Sequence, residues 1–513
     1  MKKLFILFSI IGFFSCQAQL SPQSKKVTSK FFPEIELKIN TPAFQKKKGY
    51  TSYKELIAFL SLQMDNYPDL SSLKYIGTSQ KGKQIPMLVL SNHESKDDKV
   101  KVWIQGGLHG NEMASTESVL YLIDQLLNNK KYAHLLDRLD VAFVPMANID
   151  GYEKQDRYAA NGLDLNRDQT KLNIHESVFL KQAFSNYNAE VALDIHEYKP
   201  YRKDFAQFST FGISSIYDAM FLYSGNLNVP KSLRDYTKER FVTAAQKVLD
   251  ENQISHHEYI STRKYLGDIH FNQGSENSRS SATSYALTNC ISSLIEIRGV
   301  GLGRTSFKRR VNSSFLIAIT YLETAYDHLE EVKKELSDAE KSRGDAAVKT
   351  KKHIFKDIIQ TIDLDKNQKI SLEVTIHDAL QLTPTLERKR PTAYIILKEE
   401  LEAIKKLGVL GLDIEFLETD KEVEVESYLV VDYKKAQVKY EGVRIQTVRT
   451  EIQNLKMVFP KGSAVVYLDQ SKANLAIEVL EPEVRNGFIS FNVIQAQGLA
   501  RLPIYRYLKT DPI

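Results

Sequence analysis

Three residues of this chain have the types and spacing to hold a metal ion together. His109 and Glu112 lie three positions apart, where a predicted strand leads through a loop into a helix. In a helical turn this spacing puts both side chains on one side. His196 follows a second predicted strand, far away in the sequence. Two histidines and one glutamate leave a coordination position open for water, as in catalytic zinc sites, so the sequence predicts a zinc site with these three ligands.

Composition excludes two other kinds of site. The chain has two cysteines, Cys16 and Cys290, so a cysteine-based zinc site is excluded. Lys and Arg number 69 against 64 Asp and Glu, and a net charge of +5 is small for 513 residues. A protein that binds nucleic acid by neutralising phosphates needs a larger positive excess. We therefore expect no nucleic-acid partner.

The elements that must position the three ligands alternate between strands and helices. Apolar runs of strand length occur at residues 85–90, 100–105, 141–146, 191–195 and 294–297, and helical patterns occur at 113–128, 176–186 and 235–251. Nearly continuous apolar runs are typical of strands buried on both faces of a parallel sheet. The pattern predicts an α/β fold with a mainly parallel mixed sheet flanked by helices. Ligands of such sheets bind beyond the carboxyl ends of the strands, where His109 and His196 lie.

The chain divides into segments that differ in composition and in predicted secondary structure. A long helix is predicted from about 307 to 336, and the charged stretch at 338–352 is interpreted as a linker. Short β-like segments dominate the remainder. We predict an export signal at 1–18, a polar tether at 19–45, a catalytic domain at 46–337 and a smaller β-rich accessory domain at 353–513.

The start of the chain has the features of an export signal. Lys2 and Lys3 precede an apolar stretch over 4–14, which is too short to span a bilayer as a mature helix. Processing before Cys16 would make this cysteine a lipid-carrying first residue, whereas cleavage after Ala18 would release a chain without a lipid. Both remain open. Either route predicts an exported protein that is periplasmic, secreted or lipid-anchored to the outside of a bacterial membrane, with membrane attachment only through Cys16.

Five motifs follow one another between about residues 50 and 330. They are G-G-L-H-G-N-E, N-I-D-G-Y, G-L-D-L-N-R-D, D-I-H-E-Y and L-I-E-I-R-G, and each lies at a predicted strand end or an adjoining loop. In this order they resemble the carboxypeptidase A-like zinc metallocarboxypeptidases. The resemblance implies a carboxypeptidase-like fold, one Zn²⁺ ion and hydrolysis of the C-terminal peptide bond of a peptide with a free C-terminal carboxylate.

The resemblance also implies roles for individual residues. Glu296 matches the general base, which promotes attack by water, and Arg157 lies where an arginine stabilises the oxyanion. Asn166 and Arg167 match the clamp for the terminal carboxylate, since arginine offers a planar fork of donors. Asp164 would accept a hydrogen bond from the ligand His109 and set its tautomer.

The resemblance leaves the substrate's surroundings less defined. A tyrosine that closes over the substrate is expected about twenty residues before Glu296, where the sequence has none. Tyr265 and Tyr285 bracket that position, and both remain candidates for substrate binding. Arg279 lies in the stretch expected to recognise the last side chain, where it would favour an acidic residue unless it is a solvated loop arginine.

Three functions fit the motifs. The first is a zinc carboxypeptidase that acts on peptides or on cell-wall peptides. The second is a zinc acyl-amidase that acts on small amino-acid conjugates. The third is a non-catalytic peptide-binding protein with the same cleft. Because Glu296 and all three metal ligands are present, the first two are favoured over the third.

Overall fold

The computed structural model describes residues 23–513. The predicted export signal and Cys16 lie outside the described residues. The helices are α1 Lys25–Phe31, α2 Tyr53–Asn66, α3 Met113–Asn128, α4 Ile149–Lys154, α5 His175–Tyr187, α6 Lys231–Tyr236, α7 Thr243–Glu251, α8 Ser281–Ala286, α9 Phe307–Asp327, α10 Leu329–Lys341, α11 Leu401–Val409 and α12 Ala473–Leu480. Short 3₁₀ turns occur at Pro42–Gln45, Ala133–Asp137, Leu165–Arg167 and Lys203–Gln207, and a π-helical turn at Thr237–Val242.

Residues 23–513 also form nineteen strands. They are β1 Ser71–Thr78, β2 Gln84–Leu90, β3 Val100–Gly106, β4 Leu139–Val144, β5 Val191–Tyr198, β6 Ile213–Ser215, β7 Ala219–Tyr223, β8 His256–Glu258, β9 Ile260–Tyr265, β10 Asp268–Gln273, β11 Ile291–Arg298, β12 Ala346–Asp363, β13 Gln368–Arg388, β14 Ala393–Ile396, β15 Glu415–Phe416, β16 Lys421–Lys435, β17 Gln446–Phe459, β18 Ala464–Tyr467 and β19 Arg501–Tyr507. No helix within residues 23–513 is both long and apolar enough to cross a membrane.

The central layer is an eight-stranded mixed sheet in the order β1-β2-β4-β3-β5-β11-β7-β8. The pairs β4-β3, β3-β5, β5-β11 and β7-β8 are parallel, and the other three are antiparallel. Every residue of β5 is buried, as expected for a strand covered on both faces. The predicted α/β fold with a mixed sheet flanked by helices is confirmed.

The register of this sheet brings distant parts of the chain to one edge. Glu296 on β11 is paired directly with His196 on β5. On the other side of β5, Gly106 at the end of β3 is paired with Ile195. Because these three strands are parallel, their carboxyl ends meet, and the loop that carries His109 begins beside them.

The segment before residue 46 differs from the predicted tether. Val27 and Phe32 are fully buried with Ile362 in one apolar cluster. Farther along, the Thr41 hydroxyl donates a hydrogen bond of 2.6 Å to the buried Glu117 carboxylate on α3. The tether prediction was wrong for the described part, because its scattered apolar residues pack on the folded chain.

The predicted long helix and the linker after it also differ from the structure. The helix is divided at His328, whose φ of −112° and ψ of 29° are not helical, into α9 and α10. The charged stretch belongs partly to α10, and β12 begins at Ala346. Ala346 and Val348 are buried, so this stretch is part of the packed structure rather than a free linker.

The C-terminal region is β-rich, as predicted, and it shares a sheet with the preceding part. One sheet has the order β6-β12-β13-β10-β9, in which β10 pairs in parallel with β13. The remaining strands form a six-stranded sheet in the order β15-β18-β14-β19-β16-β17. Polar contacts add to this junction, since the Lys406 ammonium donates to Asn173 Oδ1 at 2.7 Å and Ser185 Oγ donates to the Val409 carbonyl at 3.2 Å.

One lysine lies in the core without a carboxylate partner. Lys181 on α5 is fully buried, and its Nζ donates to Ser284 Oγ at 2.8 Å. It also lies 5.1 Å from the ring centres of Phe184 and Tyr285. Burial, with a smaller contribution from the Lys472 charge, lowers the pKa of Lys181 from 10.5 to about 7.

We predict that Lys181→Met makes the protein more stable at pH 7 than the wild type. A lysine with a lowered pKa in the folded state binds fewer protons there than in the unfolded state between pH 7 and 10.5. Wild-type stability relative to the variant should therefore rise with pH, by up to about 1.4 kcal/mol per unit. Urea unfolding at several pH values measures this, with Lys54→Met as an exposed control. Parallel pH curves for wild type and Lys181→Met would contradict the prediction.

Candidate metal and active site

The loop from β3 to α3 places the first two predicted ligands. Gly107 has a φ of +64°, which turns the chain sharply after the strand. A Cβ atom on Gly110 would lie 2.1 Å from the Gly151 carbonyl carbon, so only glycine allows this close approach. These two constraints place His109 and Glu112, just before the first turn of α3, beside the carboxyl ends of the central strands.

The three predicted metal ligands converge. Glu112 Oε1 lies 2.7 Å from His109 Nδ1, and Glu112 Oε2 lies 2.9 Å from His196 Nδ1. The two Nδ1 atoms are 3.0 Å apart, and the side chains of all three residues are at most 2% exposed. Within the described chain they form the one group of His, Cys, Asp or Glu residues with donors close enough for a metal ion. Two imidazole nitrogens and a carboxylate oxygen fit a zinc ion.

Each histidine is oriented by a second carboxylate. His109 Nε2 donates to Asp164 Oδ1 at 3.0 Å, and His196 Nε2 donates to Asp194 Oδ2 at 2.8 Å. With the proton on Nε2, the Nδ1 lone pair of each ring points to the shared centre. The partner predicted for His109 is therefore in place. The sequence reasoning missed Asp194, although its position two residues before His196 on the same face of β5 could have identified it.

Asp164 also holds an arginine at the rim of the centre. Arg157 Nε and one terminal nitrogen donate to Asp164 Oδ2 at 3.0 and 2.9 Å, and another terminal nitrogen lies 3.6 Å from Glu112 Oε1. Burial alone would raise the pKa of Asp164, but the neighbouring His109, Arg157 and Arg167 hold it well below its usual range. Asp164 is therefore ionised and connects one predicted ligand to one predicted catalytic residue.

Glu296 faces the same centre from β11. Burial, and then the negative charge of Glu112, raises the pKa of Glu296 from 4.5 to about 7. Its Oε2 is buried without a hydrogen-bond partner in the described chain. A carboxyl group in this environment can exchange a proton near neutral pH.

A cavity of about 560 Å³ joins this centre to the predicted carboxylate clamp. Asn166 and Arg167 lie on a short 3₁₀ turn, and Asn166 Oδ1 accepts from the Ser281 backbone N–H at 2.8 Å. Arg167 donates to the Asn166 carbonyl at 2.7 Å, and no carboxylate among residues 23–513 forms an ion pair with it. The cavity lining includes His109, Arg157, Asn166, Arg167 and Glu296.

The structure does not place the two candidate tyrosines in the cavity. Tyr265 is 38% exposed at the end of β9, where its ring contacts His270 and His377. Tyr285 is buried on α8 and stacks on Phe184 with ring centres 3.9 Å apart. Neither side chain lines the cavity, because the first lies at the end of a hairpin and the second fills the core.

Tyr259 lines the cavity instead. Burial, followed by the charge of Glu296, raises the pKa of its phenol. The sequence offered no signal for Tyr259, because the hairpin formed by β9 and β10 separates it from the position where the family tyrosine is expected.

Arg279 is neither a specificity residue of the cavity nor a solvated arginine. Its guanidinium forms an ion pair with Glu441 and donates to the Tyr440 hydroxyl at 2.9 Å. The side chain therefore points to the C-terminal region and helps to fix it against the loop before α8.

Comparison with known proteins identifies the family. Residues 56–301 match the family model described as zinc carboxypeptidase. The chain carries a domain of the zinc carboxypeptidase family. It is accordingly a metallocarboxypeptidase, a hydrolase of peptide bonds that uses one zinc ion.

Individual relatives extend beyond this domain. Carboxypeptidase 2 of Trichophyton rubrum is 28% identical over 444 residues, covering 83% of this chain and 81% of its own. Human carboxypeptidase D is 34% identical over 168 residues, covering 28% of this chain and 12% of its own. The structure of carboxypeptidase A from Helicoverpa armigera covers 56% of this chain and 78% of its own, with 19% identity and a TM-score of 0.42. The first match is longer than the carboxypeptidase domain, so that similarity reaches into the C-terminal region.

Within the carboxypeptidase domain, we predict that Asp164→Asn weakens zinc binding about 10- to 100-fold, because the histidine loses the charge that raises its basicity. Zinc affinity is measured by competition with a chromogenic chelator. Asp156→Asn is the matched control, since Asp156 is exposed in the same loop. Equal affinity in wild type and Asp164→Asn would show that Asp164 does not support the metal.

Proposed function

We propose that this enzyme removes the last residue of peptides that end in a free carboxylate. The observation that supports this most directly is the arrangement of Arg167. Its guanidinium lines the same cavity as Glu296 and the metal-binding group, and it has no carboxylate partner within the described chain. An unpaired arginine at one end of a reactive cavity is suited to bind a carboxylate through two parallel hydrogen bonds.

In this proposal His109, Glu112 and His196 hold the zinc ion. When bound, zinc polarises the scissile carbonyl and makes a water molecule more acidic. The two outer carboxylates, Asp164 and Asp194, accept hydrogen bonds from the Nε2 atoms, which favours the imidazole tautomer that can bind zinc through Nδ1. The chain's own side chains then perform the proton transfers and stabilise the charge that develops.

Glu296 acts as the general base and afterwards as the general acid. It takes a proton from the attacking water, and the same proton goes to the amine that leaves when the C–N bond breaks. A pKa of about 7 suits both steps, because the carboxyl group is neither a very weak base nor a very weak acid at neutral pH. Arg157, held through two hydrogen bonds by Asp164, offers its remaining donors to the carbonyl oxygen as negative charge forms.

The location of the enzyme is part of the proposal. The basic start and the short apolar stretch within residues 1–18 support export, and both lie outside the described residues. We propose that the enzyme acts outside the cytoplasm. Its peptides could then include cell-wall peptides, which a substrate panel containing D-residues would identify.

We predict that Glu296→Gln lowers kcat by about 10²- to 10⁴-fold while zinc content stays at the wild-type level. The amide has nearly the same shape as the carboxyl group but cannot take a proton from water. Release of the last residue from peptides is measured with and without chelator, and Glu94→Gln serves as an exposed control. If Glu296→Gln keeps wild-type turnover, or if activity survives complete zinc removal, the assigned mechanism is wrong.

We further predict that Arg167→Gln reduces kcat/KM about 10- to 100-fold for peptides with a free C terminus, because two charge-assisted hydrogen bonds are lost. Arg167→Lys should retain part of the activity, since it keeps the charge without the planar fork. The wild type should favour free acids over C-terminal amides, and Arg167→Gln should lose this preference. If the wild type cuts acyl amino acids but no peptide, the protein is an acyl-amidase, and binding without cleavage would indicate a peptide-binding protein.

A further inference from the structure

Apolar clusters that contribute side chains to the cavity wall follow one another from the carboxylate clamp. Leu222, Ala282 and Leu294 pack together near this end, where the Ser281 backbone N–H donates to Asn166. Tyr259 packs against this group and also against the next one, which contains Tyr198, Tyr217 and Met220.

The path continues away from the clamp. Ile260 packs against the second group and also against a third, which contains Phe205, Ile213, Phe271 and Ile359. These four residues of the third group line the same cavity. The cavity therefore extends from Arg167 past Tyr259 to an apolar end, which we call the distal wall and define by these four residues.

Part of the distal wall comes from the C-terminal region. Ile359 lies on β12, which starts at residue 346 and so lies outside the segment 56–301 that matches the family. β12 reaches the cavity because it is inserted between β6 and β13 in the five-stranded sheet. Residues two apart on a strand share a face, so Thr361 lies on the same face as Ile359, and both line the cavity.

Thr361 adds an unused polar group to this wall. It is 2% exposed, and its hydroxyl has no hydrogen-bond partner in the described chain. A buried hydroxyl without a partner is unfavourable unless a ligand supplies one. Two further cavity-lining residues, Asn111 and Glu296, also carry a buried oxygen without a partner.

The direction of a bound peptide follows from the proposed function, on which this inference rests. With the terminal carboxylate at Arg167 and the scissile carbonyl beside Glu296, the last residue occupies the part of the cavity next to the clamp. The peptide segment before the scissile bond must then extend towards the distal wall. A cavity of about 560 Å³ is within the range of sites that hold ligands larger than one residue.

We propose that β12 forms a binding site for the substrate residue that precedes the scissile bond. The distal wall, through Ile359, takes a large apolar side chain at this penultimate position, and the Thr361 hydroxyl bonds a polar group of the peptide backbone. The C-terminal region thereby helps to select the substrate.

The substrates that test this proposal are N-blocked tripeptides that share one last residue and differ only in the penultimate one, which is Phe, Leu, Ser or Gly. Burying a large apolar side chain contributes enough to predict a kcat/KM about 10- to 100-fold higher for Phe than for Gly in the zinc-loaded wild type. A second series with a constant penultimate residue and varied last residues reports on the other end of the cavity.

Ile359→Ala should lower the Phe-to-Gly ratio about fivefold and leave kcat/KM for the Gly peptide nearly unchanged. Ile358→Ala is the matched control, since Ile358 is the same residue type on the opposite face of β12 and is 59% exposed. The control should keep the wild-type ratio. Because each ratio compares two substrates on one preparation, a loss of folded enzyme does not change it, and Ile359→Val provides a milder second variant.

Thr361→Val keeps the side-chain shape and removes the hydroxyl. For the tripeptides we expect KM to rise about three- to tenfold with little change in kcat, because the lost hydrogen bond lies away from the reacting atoms.

The outcomes distinguish a failure of the proposed role of β12 from a failure of the carboxypeptidase proposal. Cleavage of all peptides with no penultimate preference, or an equal fall for all peptides in Ile359→Ala, overturns the role of β12 and leaves the carboxypeptidase proposal intact. A preference that Ile358→Ala reduces as strongly as Ile359→Ala also overturns it. If the zinc-loaded wild type cleaves no free-acid peptide and its Glu296→Gln variant binds none by calorimetry, both proposals fail.

Discussion

Buried negative charge beside two imidazole rings is the constraint on which the rest of the site depends. Glu112 lies between His109 and His196, and Asp164 and Asp194 occupy the outer nitrogens of the same rings. Carboxylates are costly to remove from water unless positive charge compensates them. A zinc ion at the shared centre would supply that charge, so metal binding and the stability of this part of the fold are coupled.

The parts of this arrangement that short-range patterns encode could be predicted from the sequence. The continuous apolar runs of β3, β5 and β11 indicated strands buried on both faces, and parallel strands end at one edge of a sheet. It followed that residues near or just beyond those ends would meet, and His196 on β5, Glu296 on β11 and His109 after β3 do. Hydrophobic pattern and motif order thus sufficed for the central sheet and for the convergence of the predicted ligands.

Features that depend on long-range packing could not be predicted in this way. Tyr259 lines the cavity because the hairpin of β9 and β10 is paired with β13, a strand about a hundred residues later in the chain. Counting residues back from Glu296 pointed to Tyr265 and Tyr285, since spacing carries no information about an inserted hairpin. The division of one predicted helix at His328 and the packing of the N-terminal segment on Ile362 likewise depend on neighbours that are remote in sequence.

The sharing of one sheet between the two parts of the chain changes how the C-terminal region should be understood. β10 is covered on one side by β13, so without the C-terminal region its backbone groups would form an exposed sheet edge. β13 forms a hairpin with β12, and β12 supplies Ile359 and Thr361 to the cavity. The strand pairs that join the C-terminal region to β10 therefore also build one wall of the substrate cavity. A change that loosens the hairpin of β12 and β13 must therefore alter the shape of the substrate cavity as well as the stability of the fold.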